Sequence, residues 1–332
     1  MKKIAAIVRN HVPSNASKDV QDVINQSRFV GKVLRGQGWS VVEVELGSDI
    51  GEVVSALRGI RPHVVFNLVE SFMGSDELAS MAPVIFRNLG YSFTGADSPV
   101  LFMTNDKLAA KRHLMSVDLP TPRGLDEIGL KRGRFSHKGR YIIKSRYEHA
   151  SLGLDETSVI QADKAEDLLA AMEDQRQKLG GSCIAEEFID GREFSVSLIE
   201  SPSGECMILG SAEIAFRADM DVKIVGYQAK WDEGSDADKS TVRGFEFRKA
   251  EPELSRLLEK TALDCWEEMG LRGYARVDFR VDANGKAFII DVNANPCLSE
   301  DAGFIATAME AGWKPEEVIS SIVKSALGKY AN

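Results

Sequence analysis

Residues 274–296 read YARVDFRVDANGKAFIIDVNANP, and the way this stretch folds decides the fold of the chain. Two apolar-rich runs, 274–281 and 287–293, flank Asp282-Ala-Asn-Gly-Lys286, which carries strong hairpin-turn chemistry. Side chains alternate along a strand, so Arg276, Asp278 and Arg280 share one face of the first run. Asp291 and Asn293 share one face of the second. Val277, Phe279, Val281, Ile289 and Val292 mark the sheet as buried, where Asp is depleted and a charge needs a partner. If both polar faces turn the same way, two carboxylates and an amide oxygen meet beside an arginine. Hard oxygen donors of this kind suit magnesium, which takes one or two carboxylates and keeps water and phosphate oxygens as further ligands. The plainer alternative is a solvent-facing polar strand with incidental charges.

Working outward, the first hundred residues alternate strand and helix. Residues 3–8 are an apolar run expected of a strand buried on both faces. A helical pattern follows from about Asp19, with Val20, Val23, Ile24, Val30 and Val33 at three- and four-residue spacing, and stops at Gly36-Gln-Gly38. Strands are predicted at 40–46 and 64–69, giving an open parallel sheet. Gly36 and Gly38 close a helix and precede a strand, the reverse of a dinucleotide-binding fingerprint, so they read as a helix terminus. No GxxxxGK[ST] phosphate loop occurs. Thr104-Asn105-Asp106-Lys107 opens a further helix with good N-cap residues, with Lys107 in its first turn. Beyond Arg140 shorter strands are predicted at 141–144, 183–188 and 194–200, with helices at 165–178, 251–269 and 315–327.

Two further segments can carry chemistry. Lys144 ends an apolar strand and precedes a loop with small residues, Ser145 to Gly153, an arrangement that can set an ammonium and backbone N–H groups on phosphate oxygens. In Glu186-Glu187-Phe188-Ile189-Asp-Gly-Arg-Glu193, carboxylates and backbone groups can accept from an adenine amino group and ribose hydroxyls. Each has a bland counterpart, a surface lysine at a strand end and a strand–turn–strand with exposed acids.

Composition narrows the classes. At 332 residues the chain suggests two or three domains. A net charge of -9 argues against a nucleic-acid partner, which needs a clustered basic surface. Cys183, Cys206, Cys265 and Cys297 show no CxxC pairing or metal-ligand spacing and read as reduced thiols. The N-terminal apolar run is too short for a secretory signal, and no stretch approaches the ~20 apolar residues of a membrane span, so a soluble cytoplasmic protein is expected.

Taken together these segments resemble the ATP-grasp superfamily, and within it the D-alanine–D-alanine ligase group. The resemblance runs in order through Phe66-Asn67-Leu68-Val69-Glu70, Phe93-Thr94-Gly95, Asn105-Asp106-Lys107, Pro120-Thr121-Pro122, the Lys144 strand and loop, Glu186 to Glu193, Ala229-Lys230-Trp231, and the Arg276 to Pro296 hairpin. It implies an α/β ATP-grasp fold with an N-terminal open parallel-sheet domain at 1–104, a central subdomain at 105–200 and a C-terminal subdomain at 201–332. ATP would lie between the last two. Lys107 and Lys144 would hold its phosphates, Lys230 would reach the terminal ones, and the loop at Ser151 would cover them. Glu186 and Glu187, with the backbone at Phe188 and Ile189, would hold adenine, and Glu193 the ribose. Asp278, Asp291 and Asn293 would bind one or two magnesium ions, with manganese as the alternative, and Arg276 would stabilise the phosphoryl group in transfer.

The implied reaction is ATP-dependent joining of a small carboxylate to an amine through an acyl phosphate, with release of ADP and phosphate. A homodimer built through the N-terminal domain is implied as well. A non-catalytic ATP-binding module and a kinase releasing a stable acyl phosphate are the rival classes. Three departures from the family pattern bear on substrate. Residues 9–18 contain no acid where the family has a substrate-binding Glu. Residues 295–302 read Asn-Pro-Cys-Leu-Ser-Glu-Asp-Ala in place of a Gly- and Ser/Thr-rich stretch. Asp291 stands where the family has Glu, a side chain shorter by about 1.5 Å. These departures suggest altered substrate sites, with a genuine D-alanine–D-alanine ligase as the alternative.

Overall fold

The computed structural model describes residues 2–147, 153–217, 220–227 and 241–328. Strand β1 (Ile4–Asn10) is the run read as doubly buried, and its Ala5, Ala6, Ile7 and Val8 are fully buried. It pairs in parallel with β2 (Ser40–Leu46) on one side and β3 (Val64–Leu68) on the other. The helix Lys18–Gly36 makes the first crossover and packs Val23, Val30 and Leu34 against this sheet. It ends where the glycines indicated: Gly38 takes φ of 86°, and its amide donates to the Arg35 carbonyl. The helix Pro315–Gly328 returns to the same core through Val318, Ile319 and Ile322, so the two ends of the chain meet on one sheet.

A second, antiparallel sheet runs β4-β7-β5-β6, from β4 (Gly124–Leu125), β5 (Gly139–Ser145), β6 (Val159–Ala162) and β7 (Cys183–Glu187). Tyr141, Ile143 and Ala185 bury against Leu168 and Met172 of the helix Ala165–Leu179. The third sheet runs β10-β9-β8-β11-β12, from β8 (Arg192–Glu200), β9 (Cys206–Phe216), β10 (Thr241–Gly244), β11 (Tyr274–Val281) and β12 (Ala287–Asn293). β8, grouped from sequence with residues 105–200, hydrogen-bonds between β9 and β11 in the sheet of the hairpin. One face of this sheet is apolar: Phe194, Val196, Val277 and Phe279 pack on Leu258, Ala262 and Trp266 of the helix Pro252–Glu268. The opposite face carries the polar side chains. No helix among the described residues is long and apolar enough to cross a membrane.

The hairpin has one irregularity with large effect. Phe279 stands opposite Ile289, yet Asp278 stands opposite Asp291, so Ile290 is an extra residue on β12. A one-residue offset turns every following side chain to the other face of a strand. In a regular ladder Ile290 would stand opposite Asp278, and Asp291 and Asn293 would point into the apolar core with the partners of Phe279. With the bulge, they join Arg276 and Asp278.

Candidate active site

The cross-strand partners Asp278 and Asp291, and Arg276 and Asn293, share the polar face of the hairpin. Arg276 grips Asp278 in a fork, Nε to Oδ1 at 2.7 Å and Nη2 to Oδ2 at 2.8 Å. Burial opposes the guanidinium charge, but Asp278 and then Asp291 outweigh it and hold the group protonated above its usual range. Asn293 Oδ1 accepts from the Asn295 amide at 2.9 Å, which fixes the side chain. Two opposed carboxylates and an amide are hard donors. Among the described residues no three His, Cys, Asp or Glu side chains gather as a metal cage. The donor set therefore fits a magnesium ion that takes few protein ligands and leaves room for phosphate and water.

The lysines come from the second sheet and its adjoining helix. Asp106 caps the helix Lys107–Ser116, accepting from the Leu108 and Ala109 amides, and is itself clamped by Arg146 at 2.8 and 2.6 Å. That fixes Lys107 at the helix start. Lys144, on β5, reaches Glu186 on β7 at 2.8 Å. Lys111, one turn after Lys107, meets the same carboxylate at 2.7 Å and donates to Thr121 Oγ1 at 3.2 Å. Lys111 and Glu186 are almost completely buried. Burial pushes the Lys111 ammonium down to about 8 although Glu186 supports its charge, and Lys144 adds to the depression. Lys107 is lowered as well, by burial first, against the attraction of Asp291. The pocket thus under-compensates its cations, which is the electrostatic state expected of a site awaiting an anion. The coupling of Lys107 to Asp291 also joins the lysines to the hairpin in one cleft.

The remaining sequence-derived residues lie along the same cleft. Glu193, lifted by burial against the pull of Arg280, pairs with Arg280 Nη2 at 2.8 Å. Arg280 also donates to the Ile189 carbonyl at 3.3 Å and lies 5.2 Å from the Phe188 ring, with Arg140 at 4.7 Å from that ring. The Phe188 amide donates to the Arg140 carbonyl, and Glu187 stands 3.6 Å from His137. Ser151 and Lys230 fall outside the described residues.

Lys111 escaped the sequence reading, although its i, i+4 spacing from Lys107 on a helix was a usable signal. So did two contacts of the helix Lys18–Gly36. The acid sought in residues 9–18 has a counterpart one position later: Asp19 accepts from the Tyr227 hydroxyl at 2.8 Å, and burial followed by that carboxylate pushes Tyr227 up to about 12. Asp22 accepts from Ser299 Oγ at 3.0 Å and from the Cys297 thiol at 3.0 Å, tying the helix to the loop after the hairpin. Burial and Asp22 raise Cys297 well above an ordinary thiol, so it stays protonated. All four cysteines are free.

A parallel sheet, two antiparallel sheets, and a cleft with lysines on one side and paired carboxylates with an arginine on the other define an ATP-grasp ligase. The family model for the D-ala D-ala ligase C-terminus matches residues 141–324. The chain belongs to that family, and it is an ATP-dependent, ADP-forming ligase of a class that uses magnesium. It is 27% identical to the D-alanine–D-alanine ligase of Thermotoga petrophila over 94% of this chain and 95% of that protein. It is 24% identical to the ligase of the same name from Rhodospirillum rubrum, over 91% and 92%. The D-alanine–D-alanine ligase of Bacillus anthracis complexed with ATP superposes with a TM-score of 0.74 at 17% identity, covering 99% of this chain and 98% of that one. The VanG D-Ala:D-Ser ligase of Enterococcus faecalis gives 0.72 at 15% identity, over 98% and 99%.

Proposed function

We propose that this ligase joins two amino acids, activating the carboxylate of the first as an acyl phosphate and giving it to the amine of the second, with D-alanine as the first substrate to try. The observation that carries this is the opposed pair Asp278 and Asp291, brought to one face beside Arg276 and coupled electrostatically to Lys107. In this assignment Lys107 and Lys144 bind the ATP phosphates, together with Lys230 and the Ser151 loop. Adenine lies beside Glu186, Glu187 and the backbone at Phe188 and Ile189, and Glu193 holds the ribose. Magnesium held by Asp278, Asp291 and Asn293 supplies charge neutralisation at the phosphates. Arg276, fixed by Asp278, faces the negative charge that develops as the phosphoryl group moves, and its geometry needs no rearrangement at that moment. Lys111 acts through Glu186 by setting the position of Lys144.

The Asp19–Tyr227 hydrogen bond supports an amino-acid first substrate, because it supplies an acid near the start of the first helix. Asp22 beneath Ser299 favours a second reading, in which the acceptor differs from D-alanine. A homodimer belongs to the same proposal, and light scattering would give twice the 36.4 kDa of one chain. The deciding experiment incubates purified protein with ATP, magnesium and a panel of D- and L-amino acids. Release of ADP and phosphate with dipeptide formation supports the proposal. AMP with pyrophosphate, or ATP binding without turnover for any pair, defeats it.

A further inference from the structure

β12 is an edge strand of its sheet, and its outer edge meets residues from the lysine side of the cleft. Pro120 and Thr121 lie in the chain between the helix Lys107–Ser116 and β4. The Ile289 amide donates to the Pro120 carbonyl at 2.8 Å, and the Thr121 hydroxyl donates to the Ile289 carbonyl at 2.7 Å. One residue further on, Lys111 Nζ lies 3.5 Å from the Ile290 carbonyl. Successive carbonyls of a regular strand alternate between its two edges. Here two in succession accept from the same edge, as the extra residue of a bulge allows. The place opposite Asp278 thereby passes from Ile290 to Asp291.

The direction of the Thr121 bond is fixed by its neighbour. An ammonium can only donate, and Lys111 Nζ lies 3.2 Å from Thr121 Oγ1. The hydroxyl oxygen accepts there, and its proton is left for Ile289. Lys111 is held in turn by Glu186 at 2.7 Å. A hydroxyl polarised by a cation is the stronger donor, so the chain from Glu186 through Lys111 and Thr121 ends firmly on the bulge. Burial of Ile289 and Val292 also favours the bulged pairing. Magnesium, however, demands near-ideal octahedral geometry at about 2.0–2.1 Å, a tolerance that apolar packing does not set. A directional hydrogen bond two residues from the ligand does.

We propose that Thr121 is a positioning residue of the metal site: by holding the Ile289 carbonyl on the outer edge of β12, it keeps the bulge and so keeps Asp291 beside Asp278. The inference rests on the assignment of Asp278, Asp291 and Asn293 to magnesium and names the side chain that holds this set together. It also makes the metal site a product of both walls of the cleft, since Thr121 comes from the lysine side and the acids from the hairpin.

The test compares the wild-type chain with Thr121→Val, Thr121→Ala and Thr121→Ser, and with Asp291→Asn alone and combined with Thr121→Val. Manganese, read by electron paramagnetic resonance, is titrated into ADP-loaded protein, and ADP is titrated without metal by calorimetry. Manganese affinity should fall about tenfold in Thr121→Val and Thr121→Ala and stay within about twofold of wild type in Thr121→Ser. The two hydroxyl-free side chains differ in size, so a packing fault in one does not decide the result. ADP affinity without metal should not move. In the Asp291→Asn background Thr121→Val should bring no further loss of manganese affinity, because both act through one carboxylate. Wild-type affinity in the Val and Ala variants, an equal loss in Thr121→Ser, or a full further loss in the double variant overturns the proposal. So does a matching loss of metal-free ADP affinity, which would report a loosened nucleotide pocket. Unchanged manganese affinity in Asp291→Asn defeats the metal assignment itself, and this inference with it.

Discussion

Replacing Lys111 by Met separates what the lysine cluster does for folding from what it does for ATP. Removing one partner from a buried ion pair ordinarily costs about 3–5 kcal/mol, because the other charge is stranded. Here Glu186 keeps Lys144 at 2.8 Å, so nothing is stranded. The depression of Lys111 to about 8 shows that burial outweighs the help from Glu186, so its charge is a net cost in the folded protein. A neutral side chain of similar length should therefore leave thermal stability unchanged or raise it by up to about 2 kcal/mol. The affinity for ATP should fall roughly tenfold, because Glu186, no longer shared with Lys111, would draw Lys144 from its place at the phosphate side of the cleft. The pH dependence follows with a definite sign. Between about 8 and the unfolded value of 10.5, the unfolded chain keeps a proton that the folded chain has released. Stability of the wild type should rise with pH across that window, and the difference between wild type and Lys111→Met should show it. Thermal unfolding over pH 7 to 11 and ATP titration at pH 7 measure these effects. A destabilisation above about 3 kcal/mol at pH 7, or unchanged ATP affinity, would refute the reasoning.

Asp291→Asn should lower ADP release by about a hundredfold or more at saturating magnesium, whereas Asp291→Glu should retain turnover; equal rates for the two variants would remove Asp291 from the metal site. Tyr227→Phe breaks the hydrogen bond to Asp19 and should raise KM for the first amino acid about tenfold with KM for ATP unchanged, as steady-state kinetics will show. Arg146→Met leaves Asp106 without its clamp and should raise KM for ATP through a loosened Lys107, with a drop of about 2 kcal/mol in unfolding free energy by urea titration.

Much of this was legible in sequence because local rules and tertiary placement agree. The run at 4–8 is apolar throughout and forms a doubly buried strand. Lys144 sits at the end of an apolar run and faces the cleft. The hairpin is announced by Asn284-Gly285 and by charges among Val, Phe and Ile. What stayed hidden depends on pairings between distant segments. Lys111 looks like an ordinary exposed helix lysine until Glu186 and Thr121 surround it. Asp19 and Asp22 look like first-turn acids of a helix, and only the fold brings Tyr227, Cys297 and Ser299 to them. The pairing of β8 is likewise hidden in the local sequence, because its partner β11 lies some eighty residues onward.

The unpaired Ile290 gives the hairpin a parity. Whatever side chain occupies position 290, the bulge there selects which residues see the cleft and which see the apolar interior. Deleting that residue would leave Asp291 opposite Asp278 in a regular ladder, whereas keeping it and losing the bulge would exchange the roles of Val292 and Asp291 with composition and hydrophobicity untouched. Recombining this hairpin with another ligase therefore requires keeping the bulge together with the residue count, and a graft that keeps the count but pairs regularly would deliver a folded strand with its acid facing inward.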